Sequence, residues 1–410
     1  MPNPLHYRGL EEKSMADRHV ARAQALATLA IHTVGPDPTT GAMAPPVHQT
    51  TTYAQPGIGE DLGHTYSRVS NPTVAALEQT LAALEGLPHA AAFATGMAAT
   101  TCLALSVLRS GDEVLCGHVV YGGTTRLLAQ VLSNFDVVTR FVDTADPEAV
   151  VEALTDRTRL VIAETPANPT LQLTDLAKLA EVLSHHPALL AVDNTFLTAA
   201  LQRPADLGAD IVIYSTTKFI EGHNTTVGGA LLVKDDALAE RIHFIRKATG
   251  GIQSPWDAWL TLKGIKTLPL RLEQHSRSAL ALARWLEHHD TVSSVHYPGL
   301  DSFPQRQLAE RQQRSGGGVL SFELEGGREA AVRFCDGFGL CTLAENLGAT
   351  ETLITHPVTM THADVPADAL RRAGIGEGLI RVSVGLEDLG DIQADLSLAL
   401  DRASARAVVS

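Results

Sequence analysis

Between residues 74 and 214 the sequence alternates short apolar segments with segments of helical periodicity, and this alternation limits the possible folds more than any other feature. The pattern predicts helices over 74–85, 97–107, 124–132 and 147–154, and strands over 90–93, 113–116, 137–141, 160–164, 189–193 and 210–214. Short buried strands that alternate with helices are typical of a mostly parallel sheet covered on both faces. We therefore expect an α/β fold.

The two ends of the chain differ from this central part. Residues 1–73 are rich in Pro, Gly, Thr and His, a composition that breaks helices and predicts an extended arm. The pattern after residue 260 predicts a long helix over 267–288, strands over 318–324 and 379–384, and a helix over 328–334. We therefore expect an N-terminal arm (1–73), a large domain (74–262) and a smaller α+β C-terminal domain (263–410).

Composition limits the possible partners and the location of the protein. The chain has 410 residues, 45% of them hydrophobic, and its net charge of −14 argues against broad binding to a nucleic-acid backbone. Residues 1–13 lack an apolar signal core, and no uncharged apolar run is long enough to span a membrane. Cysteines occur at 102, 116, 335 and 341, with spacings that match no common zinc or disulfide framework. We expect a cytoplasmic protein with reduced thiols, no metal, and neither nucleic acid nor membrane as a partner.

Residues able to do chemistry lie at the predicted strand ends. Lys218 closes the run Ser-Thr-Thr-Lys directly after one strand, Asp193 ends another, and Glu164 ends a third. Ligands of parallel sheets bind beyond the carboxyl ends of strands, so we expect these side chains to lie close together. A pyridoxal phosphate (PLP) site needs an amine to form the Schiff base, hydroxyls to hold the phosphate, and an acid to keep the pyridine nitrogen protonated. The sequence therefore indicates PLP-dependent chemistry on amino acids.

Seven motifs, in chain order, extend this interpretation. They are Tyr66-Ser67-Arg68 with Asn71-Pro72-Thr73, Thr95-Gly96-Met97-Ala98, Tyr121-Gly122-Gly123-Thr124, Glu164-Thr165-Pro166-Ala167-Asn168-Pro169, Val192-Asp193-Asn194-Thr195, Ser215-Thr216-Thr217-Lys218 with Gly222-His223, and Arg381-Val382-Ser383-Val384-Gly385. With them the sequence resembles the Cys/Met-metabolism PLP enzymes, the cystathionine γ-synthase and γ-lyase family of fold-type I. The similarity covers nearly the whole chain after about residue 23. It implies a PLP-dependent transferase fold with a mostly parallel large domain and a smaller α+β C-terminal domain.

The resemblance assigns most candidate residues to the cofactor. Lys218 is expected to form the Schiff base, Asp193 to pair with the pyridinium nitrogen, and Asn168 to hydrogen-bond the phenolic oxygen. The phosphate is expected against the backbone amides and hydroxyls of Gly96, Met97, Ser215 and Thr217. In relatives the arm that corresponds to Tyr66 and Arg68 reaches the phosphate site of the neighbouring subunit. The resemblance therefore implies an obligate dimer, usually paired into a homotetramer.

Four further residues are assigned to the substrate and the reaction. Tyr121 is expected to stack on the cofactor ring and to exchange a proton, and Arg381 to bind the substrate α-carboxylate. Glu345 and Asn346 are expected beside the same substrate. The implied reaction is γ-elimination or γ-replacement on a homoserine-derived or cystathionine-like amino acid through a vinylglycine-type intermediate. A thiol or another nucleophile adds to this intermediate, or it is hydrolysed to 2-oxobutyrate and ammonia.

Several positions depart from the usual family motifs. Residues 345–349 read Glu-Asn-Leu-Gly-Ala instead of Glu-Ser-Leu-Gly-Gly, and 222–225 read Gly-His-Asn-Thr instead of Gly-His-Ser-Asp. An acidic pair is replaced by His118 and Val119, and Gly123 stands where methionine γ-lyases tend to have cysteine. We therefore expect a specialised member. The alternatives are an O-acetylhomoserine sulfhydrylase, a methionine γ-lyase-like enzyme, a β-eliminating cystathionine lyase, and a non-catalytic PLP-binding relative.

Overall fold

The computed structural model describes residues 25–363, 365 and 367–405. The first 24 residues of the predicted arm lie outside this range. The remainder of the arm contains one short helix, α1 (Leu26–His32), and is otherwise irregular apart from bridges such as that between Thr52 and Tyr66. Residues 33–71 consist of turns, bends and isolated bridges, and the predicted arm with its boundary stays a prediction.

A seven-stranded sheet forms the centre of the first half of the chain. Its strands are β1 (His89–Phe93), β2 (Glu113–Gly117), β3 (Val138–Val142), β4 (Thr158–Glu164), β5 (Leu189–Asp193), β6 (Ile211–Tyr214) and β7 (Gly229–Val233). The spatial order is β1-β7-β6-β5-β4-β2-β3, and strands β2 to β6 pair in parallel. β7 runs antiparallel to both of its neighbours. The predicted strands and the mostly parallel sheet are confirmed, whereas β7 was not predicted, because Gly228-Gly229 resembles a turn.

Helices cover this sheet: α2 (Pro72–Glu85), α3 (Gly96–Val107), α4 (Gly122–Arg126), α5 (Pro147–Ala153), α6 (Leu176–Leu183), α7 (Thr198–Leu201), α8 (Asp236–Thr249) and α9 (Pro255–Ile265). The side chain of Asn71 caps α2 and is followed by Pro72, a residue whose fixed φ suits a first helical position. The predicted helix over 124–132 is shorter, because the chain widens into a π-turn over Leu127–Val131. None of the helices in the described part of the chain combines the length and apolar character needed to cross a membrane.

A second, mostly antiparallel sheet follows. Its strands are β8 (Val292–His296), β9 (Val319–Leu324), β10 (Thr342–Leu343), β11 (Leu353–Thr355) and β12 (Leu379–Ser383), in the order β10-β11-β12-β9-β8. The accompanying helices are α10 (Leu268–Leu286), α11 (Arg306–Gln312), α12 (Gly327–Cys335), α13 (Ala367–Arg372) and α14 (Leu389–Ser404). This arrangement is the α+β fold expected after residue 262, and the exact domain boundaries stay predictions.

Burial on both faces of the large sheet explains its apolar strands. Along β6, Val212 and Tyr214 belong to the apolar cluster that contains residues of α2, and Ile211 and Ile213 to the cluster that contains residues of α3. Alternate residues of a strand point to opposite faces, so every position of β6 is buried. Each large apolar side chain buried in this way contributes roughly 1.5–3 kcal/mol.

One carboxyl group lies inside this core. Glu85, at the end of α2, is fully buried and accepts a hydrogen bond of 2.6 Å from the Tyr214 hydroxyl. Its other oxygen has no partner among the described residues. Asn194 donates to the Tyr214 oxygen at 3.0 Å. Burial raises the pKa of Glu85 from 4.5 to about 7, so the folded chain holds a proton here that an unfolded chain releases.

This proton makes the stability of the fold depend on pH. Between about pH 4.5 and 7 the folded chain binds more protons at Glu85 than the unfolded chain, so we expect the free energy of unfolding to fall by about 3 kcal/mol as the pH rises through this range. Glu85→Gln should remove this contribution. Urea unfolding at pH 5 and pH 7.5 measures it, and an equal pH dependence in the wild type and the variant would contradict the assignment.

Candidate active site

The register of the parallel strands places the predicted site residues at one edge of the large sheet. Glu164 of β4 lies opposite Asp193 of β5, and Asp193 lies opposite Ile213 of β6. The segments that follow these three strands therefore leave the sheet at the same level. These segments carry Asn168, Thr195 and the run 215–218.

A cavity of about 250 Å³ lies at this edge. The predicted site residues that line it are Gly96, Met97, Tyr121, Asn168, Asp193, Ser215, Thr217 and Lys218. Other residues complete the wall, among them Thr95, Thr124, Glu164, Thr195, Phe196, Val227 and Leu347. Residues separated by more than one hundred positions in the sequence thus meet around one cavity.

Lys218 is the amine of this cavity. It lies just beyond β6, and its Nζ donates a hydrogen bond to Oδ1 of Asn346. Burial, and then the positive charge of Arg381, lower the pKa of Lys218 from 10.5 to about 8. Near neutral pH a much larger fraction of this amine is therefore uncharged, and able to act as a nucleophile or base, than at a surface lysine.

Two carboxyl groups line the same cavity as the amine, that of the buried Glu164 and that of the half-buried Asp193. Asp193 accepts a hydrogen bond of 3.0 Å from the backbone N–H of Thr195, and burial raises its pKa. Burial, and then the neighbouring charge of Asp193, raise the pKa of Glu164 to about 8. Glu164 accepts backbone hydrogen bonds from Tyr121 at 2.8 Å and Asn168 at 2.9 Å, one on each oxygen. Glu164 therefore joins the two segments that carry these candidate residues.

Glu164→Gln tests this joining role. The amide can accept only one of the two backbone hydrogen bonds and turns an N–H group towards the other donor. We expect the free energy of unfolding to fall by about 1–3 kcal/mol, since a buried donor loses its partner. Chemical denaturation measures the loss, with the exposed Glu148→Gln as the matched control. Equal stability of the two variants would show that Glu164 does not hold these segments.

The opposite end of the cavity suits a phosphate group. Helix α3 begins here, and Thr95 caps it by accepting a hydrogen bond of 2.9 Å from the N–H of Ala98. A Cβ atom at position 96 would lie 3.1 Å from Cβ of Ser215, so Gly96 lets this serine approach the helix start. The N-terminus of a helix and a nearby hydroxyl are donors that bind a phosphate dianion. The carboxyl group of Asp193 at one end and the anion donors at the other fit the pyridine nitrogen and phosphate of PLP.

Thr217 has a second set of contacts. Its Oγ1 donates to the carbonyl of Gly228 at 3.1 Å and accepts from the N–H of the same residue at 3.0 Å. These contacts hold the segment that enters β7 against the segment that carries Lys218. Thr217 thus lines the cavity and also fixes the backbone around it.

Arg381 lies next to the cavity on β12, completely buried. Its guanidinium donates to Oδ1 of Asn168 at 2.9 Å, to the backbone carbonyl of Asn346 at 3.0 Å and to Oγ1 of Thr355 at 3.0 Å. Burial lowers its pKa to about 10, so it stays charged at neutral pH. Nε has no partner among the described residues. The bond to Oδ1 leaves the amide nitrogen of Asn168 as a donor, as expected for contact with a phenolic oxygen.

Tyr121 depends on a glycine beside it. A Cβ atom at position 123 would lie 2.4 Å from Cε1 of the Tyr121 ring and 2.9 Å from the sulfur of Met97. Cysteine at position 123 would therefore displace the ring from the place it has in this structure. The ring is 45% exposed. It can therefore be reached from the cavity side and from solvent.

Five predicted residues do not line the cavity: Arg381 and Asn346, which contact residues of its wall, and Tyr66, Arg68 and Glu345. Tyr66 is 44% exposed, and the Arg68 guanidinium lies 5.5 Å from the centre of its ring and donates to the Lys247 carbonyl at 2.8 Å. Their predicted contact with a neighbouring subunit stays a prediction. Glu345 is exposed, and its charge acts on Arg381.

No site role was predicted for Thr195, which ends the motif over 192–195, or for Thr355. Thr195 accepts a hydrogen bond of 2.9 Å from the N–H of Ser215 and so connects two strand exits. Its position directly after Asp193-Asn194 was the available signal. Thr355 lies opposite Arg381 only through the pairing of β11 with β12, which no local sequence pattern shows.

Comparison with known proteins agrees with this geometry. The family model described as Cys/Met metabolism PLP-dependent enzyme matches residues 27–401. The chain is 46% identical over 376 residues to the cystathionine γ-synthase of Mycobacterium bovis, covering 91% of this chain and 96% of the relative. It is 42% identical over 375 residues to the cystathionine γ-lyase of Bacillus subtilis, covering 91% and 98%.

The fold agrees as well. The crystal structure of the cystathionine γ-synthase from Xanthomonas oryzae pv. oryzae in complex with cystathionine matches with a TM-score of 0.90 at 41% identity. The match covers 93% of this chain and 98% of that chain. Both the predicted fold and the predicted PLP dependence are confirmed. The chain belongs to the family of Cys/Met metabolism PLP-dependent enzymes.

Proposed function

We propose that the protein catalyses γ-replacement or γ-elimination on a homoserine-derived or cystathionine-like amino acid. The supporting observation is the arrangement around Lys218, whose half-buried amine shares one cavity with Asp193, Tyr121 and Asn168. Arg381 lies directly behind Asn168 and supplies a fixed cation for a carboxylate. The similarity to proteins named cystathionine γ-synthase and cystathionine γ-lyase supports the same class of substrate.

The residues around the cavity would hold PLP at both ends. Asp193 would pair with the pyridine nitrogen, and the start of α3 with Ser215 would bind the phosphate. When bound, PLP supplies an electron sink that makes the hydrogens of the substrate's α- and β-carbons acidic. The protein side chains then need to hold the amino acid and move protons.

Lys218 and Arg381 divide this work. The guanidinium of Arg381 is held in place by its Nη donors, and its Nε, which has no partner among the described residues, would donate to the substrate's α-carboxylate. Lys218 as a free amine would take the proton from the substrate's Cα. It would then return that proton to a carbon of the cofactor. Because its pKa is about 8, we infer that the base form increases as pH rises towards this value. Tyr121 would donate a proton to the γ-leaving group.

We also propose a homotetramer built from two dimers. The support is the position of Tyr66 and Arg68, which are exposed and lie outside the cavity of their own chain, as a cross-subunit role requires. A cytoplasmic location is supported by the four cysteines, all of them free, whose pKa values burial raises. Sedimentation of wild-type protein and of Arg68→Ala, with cofactor content measured in parallel, tests the assembly.

A substrate panel tests the reaction. O-acetyl-, O-succinyl- and O-phosphohomoserine, cystathionine and methionine would each be incubated with the protein, with and without cysteine, and the products identified by mass spectrometry. Cystathionine from an activated homoserine and cysteine identifies γ-replacement, and 2-oxobutyrate identifies γ-elimination. Pyruvate from cystathionine would instead identify β-elimination, and absence of turnover with the whole panel would overturn the proposal.

A further inference from the structure

Two segments in which this sequence departs from the usual family motifs meet beside Lys218. Nζ of Lys218 donates to Oδ1 of Asn346, and Nδ2 of Asn346 donates to Oδ1 of Asn224 at 2.6 Å. Nδ2 of Asn224 donates in turn to Oε2 of Glu351 at 3.0 Å. A continuous chain of hydrogen bonds therefore runs from the amine of the cavity to a carboxylate at the surface.

The carboxylate of Glu351 determines the direction in which these hydrogen bonds run. An amide side chain carries an acceptor at one end and a donor at the other, so either end could face its neighbour, but an ionised carboxylate only accepts. Glu351 must therefore receive the NH₂ group of Asn224, which turns the oxygen of Asn224 towards Asn346. Asn346 must then donate to Asn224 and present its own oxygen to Lys218.

We propose that Glu351 and Asn224 are positioning residues that fix the orientation of Asn346, so that Lys218 always faces a hydrogen-bond acceptor. Only the role of Lys218 as a base rests on the function proposed above; the orientation of the amides does not. The site residue predicted at position 346 thus acts with two partners, one of them in the altered segment 222–225.

Backbone contacts hold the two segments together independently of these side chains. Thr350 donates its N–H to the carbonyl of Gly222 at 3.1 Å. A Cβ atom at position 348 would lie 2.5 Å from the backbone nitrogen of Phe219, so Gly348 lets the second segment pack directly behind Lys218. Asn224 has a φ of 56°, a left-handed conformation that asparagine and glycine adopt more readily than other residues. Side-chain variants can therefore change the hydrogen-bond chain without separating the segments.

The orientation matters for the chemistry of the amine. An acceptor at Asn346 takes one N–H of Lys218 and leaves the lone pair of the neutral amine free to point into the cavity. A reversed amide would present N–H groups, which repel the ammonium form and bind the lone pair that the substrate needs. The variants described below leave the other ionisable groups near the amine and these hydrogen bonds unchanged: Asp193, Glu164, Tyr121, Arg381, Glu345 and Asp257.

Glu351→Gln tests the proposal, because glutamine both donates and accepts and so no longer fixes the direction. PLP would be removed from the full-length protein with hydroxylamine, and Lys218 labelled with acetic anhydride across a pH series, with mass spectrometry of the peptide as the readout. We expect the labelling midpoint of Lys218 to fall by about 0.5–1 pH unit, the size of one hydrogen bond. Asn224→Gly, which keeps the left-handed backbone, should shift the midpoint in the same direction. The exposed Glu325→Gln is the matched control and should resemble the wild type.

The link through Asn346 needs a double variant. In an Asn346→Ala background no side-chain group joins Lys218 to Asn224, so adding Glu351→Gln should produce no further shift. Equal midpoints for Glu351→Gln and Glu325→Gln would overturn the proposal, as would an undiminished shift in the alanine background. Thermal unfolding of each variant shows whether it folds. The labelling needs no turnover, so failure of the substrate panel would refute the proposed reaction and leave this result unaffected.

Discussion

Lys218→Ala should lower turnover by about 10³-fold or more, because both the nucleophile that binds the cofactor and the base that moves the α-proton are lost. The cavity has its amine at one position, where β6 ends beside Asp193. We also expect borohydride reduction of the wild-type holoenzyme to attach the cofactor covalently to the peptide that contains position 218. Steady-state kinetics and peptide mass spectrometry measure the two effects.

Lys234→Ala is the matched control, since Lys234 is exposed directly after β7. It should keep wild-type turnover and the covalent label at position 218. Full activity in Lys218→Ala, or a reduced adduct found on another lysine, would refute the assignment of this residue. Far-ultraviolet circular dichroism of both variants separates loss of chemistry from loss of fold.

The second large effect is expected for Arg381→Lys. Lysine keeps a positive charge but cannot reproduce the planar fork that contacts Asn168, Thr355 and the carbonyl of Asn346. We expect kcat/KM to fall by about 10²- to 10³-fold, the usual cost of breaking a buried charged pair. The binding of the α-carboxylate is weakened directly, so KM should rise, and titration with an unreactive amino acid should show weaker binding.

Thr355→Val provides the comparison for this variant. It removes one acceptor of the guanidinium and preserves the shape of the side chain, so a loss of about tenfold is expected. The visible absorbance of the bound cofactor should be unchanged in Thr355→Val, because Thr355 does not line the cofactor cavity and the bond between Arg381 and Asn168 is kept. An unchanged KM in Arg381→Lys would show that another group binds the carboxylate.

Local sequence patterns predicted the buried strands of the large sheet and the edge at which these strands end. Strands such as β5 and β6 are apolar at nearly every position because both of their faces are covered. A short, uninterrupted apolar run in the sequence therefore identified each of them. The exits of these strands carry Asp193 and Lys218, and the rule that parallel strands end at one edge was enough to bring them together. The mostly parallel sheet and the candidate site edge were therefore accessible from the sequence.

Features that depend on pairing between distant segments were not accessible in this way. Thr355 meets Arg381 because β11 pairs with β12, and no spacing in the sequence encodes that register. The contact between Asn346 and Asn224 likewise joins two loops, each of which was recognised only as unusual on its own. The role of Glu164 in holding Tyr121 and Asn168 required the directions of two backbone N–H groups.

The position of β7 between β1 and β6 has a consequence for how the protein is made. Among the strands of the described residues β1 neighbours β7 alone, apart from one bridge between Phe93 and Ile252, and the register runs from His89 with Val233 to Phe93 with Gly229. During translation the ribosome must therefore complete more than half of the polypeptide before β1 can find its neighbour. Nascent chains that stop before residue 229 would carry β1 as an unpaired apolar edge, a substrate for chaperones and a seed for aggregation.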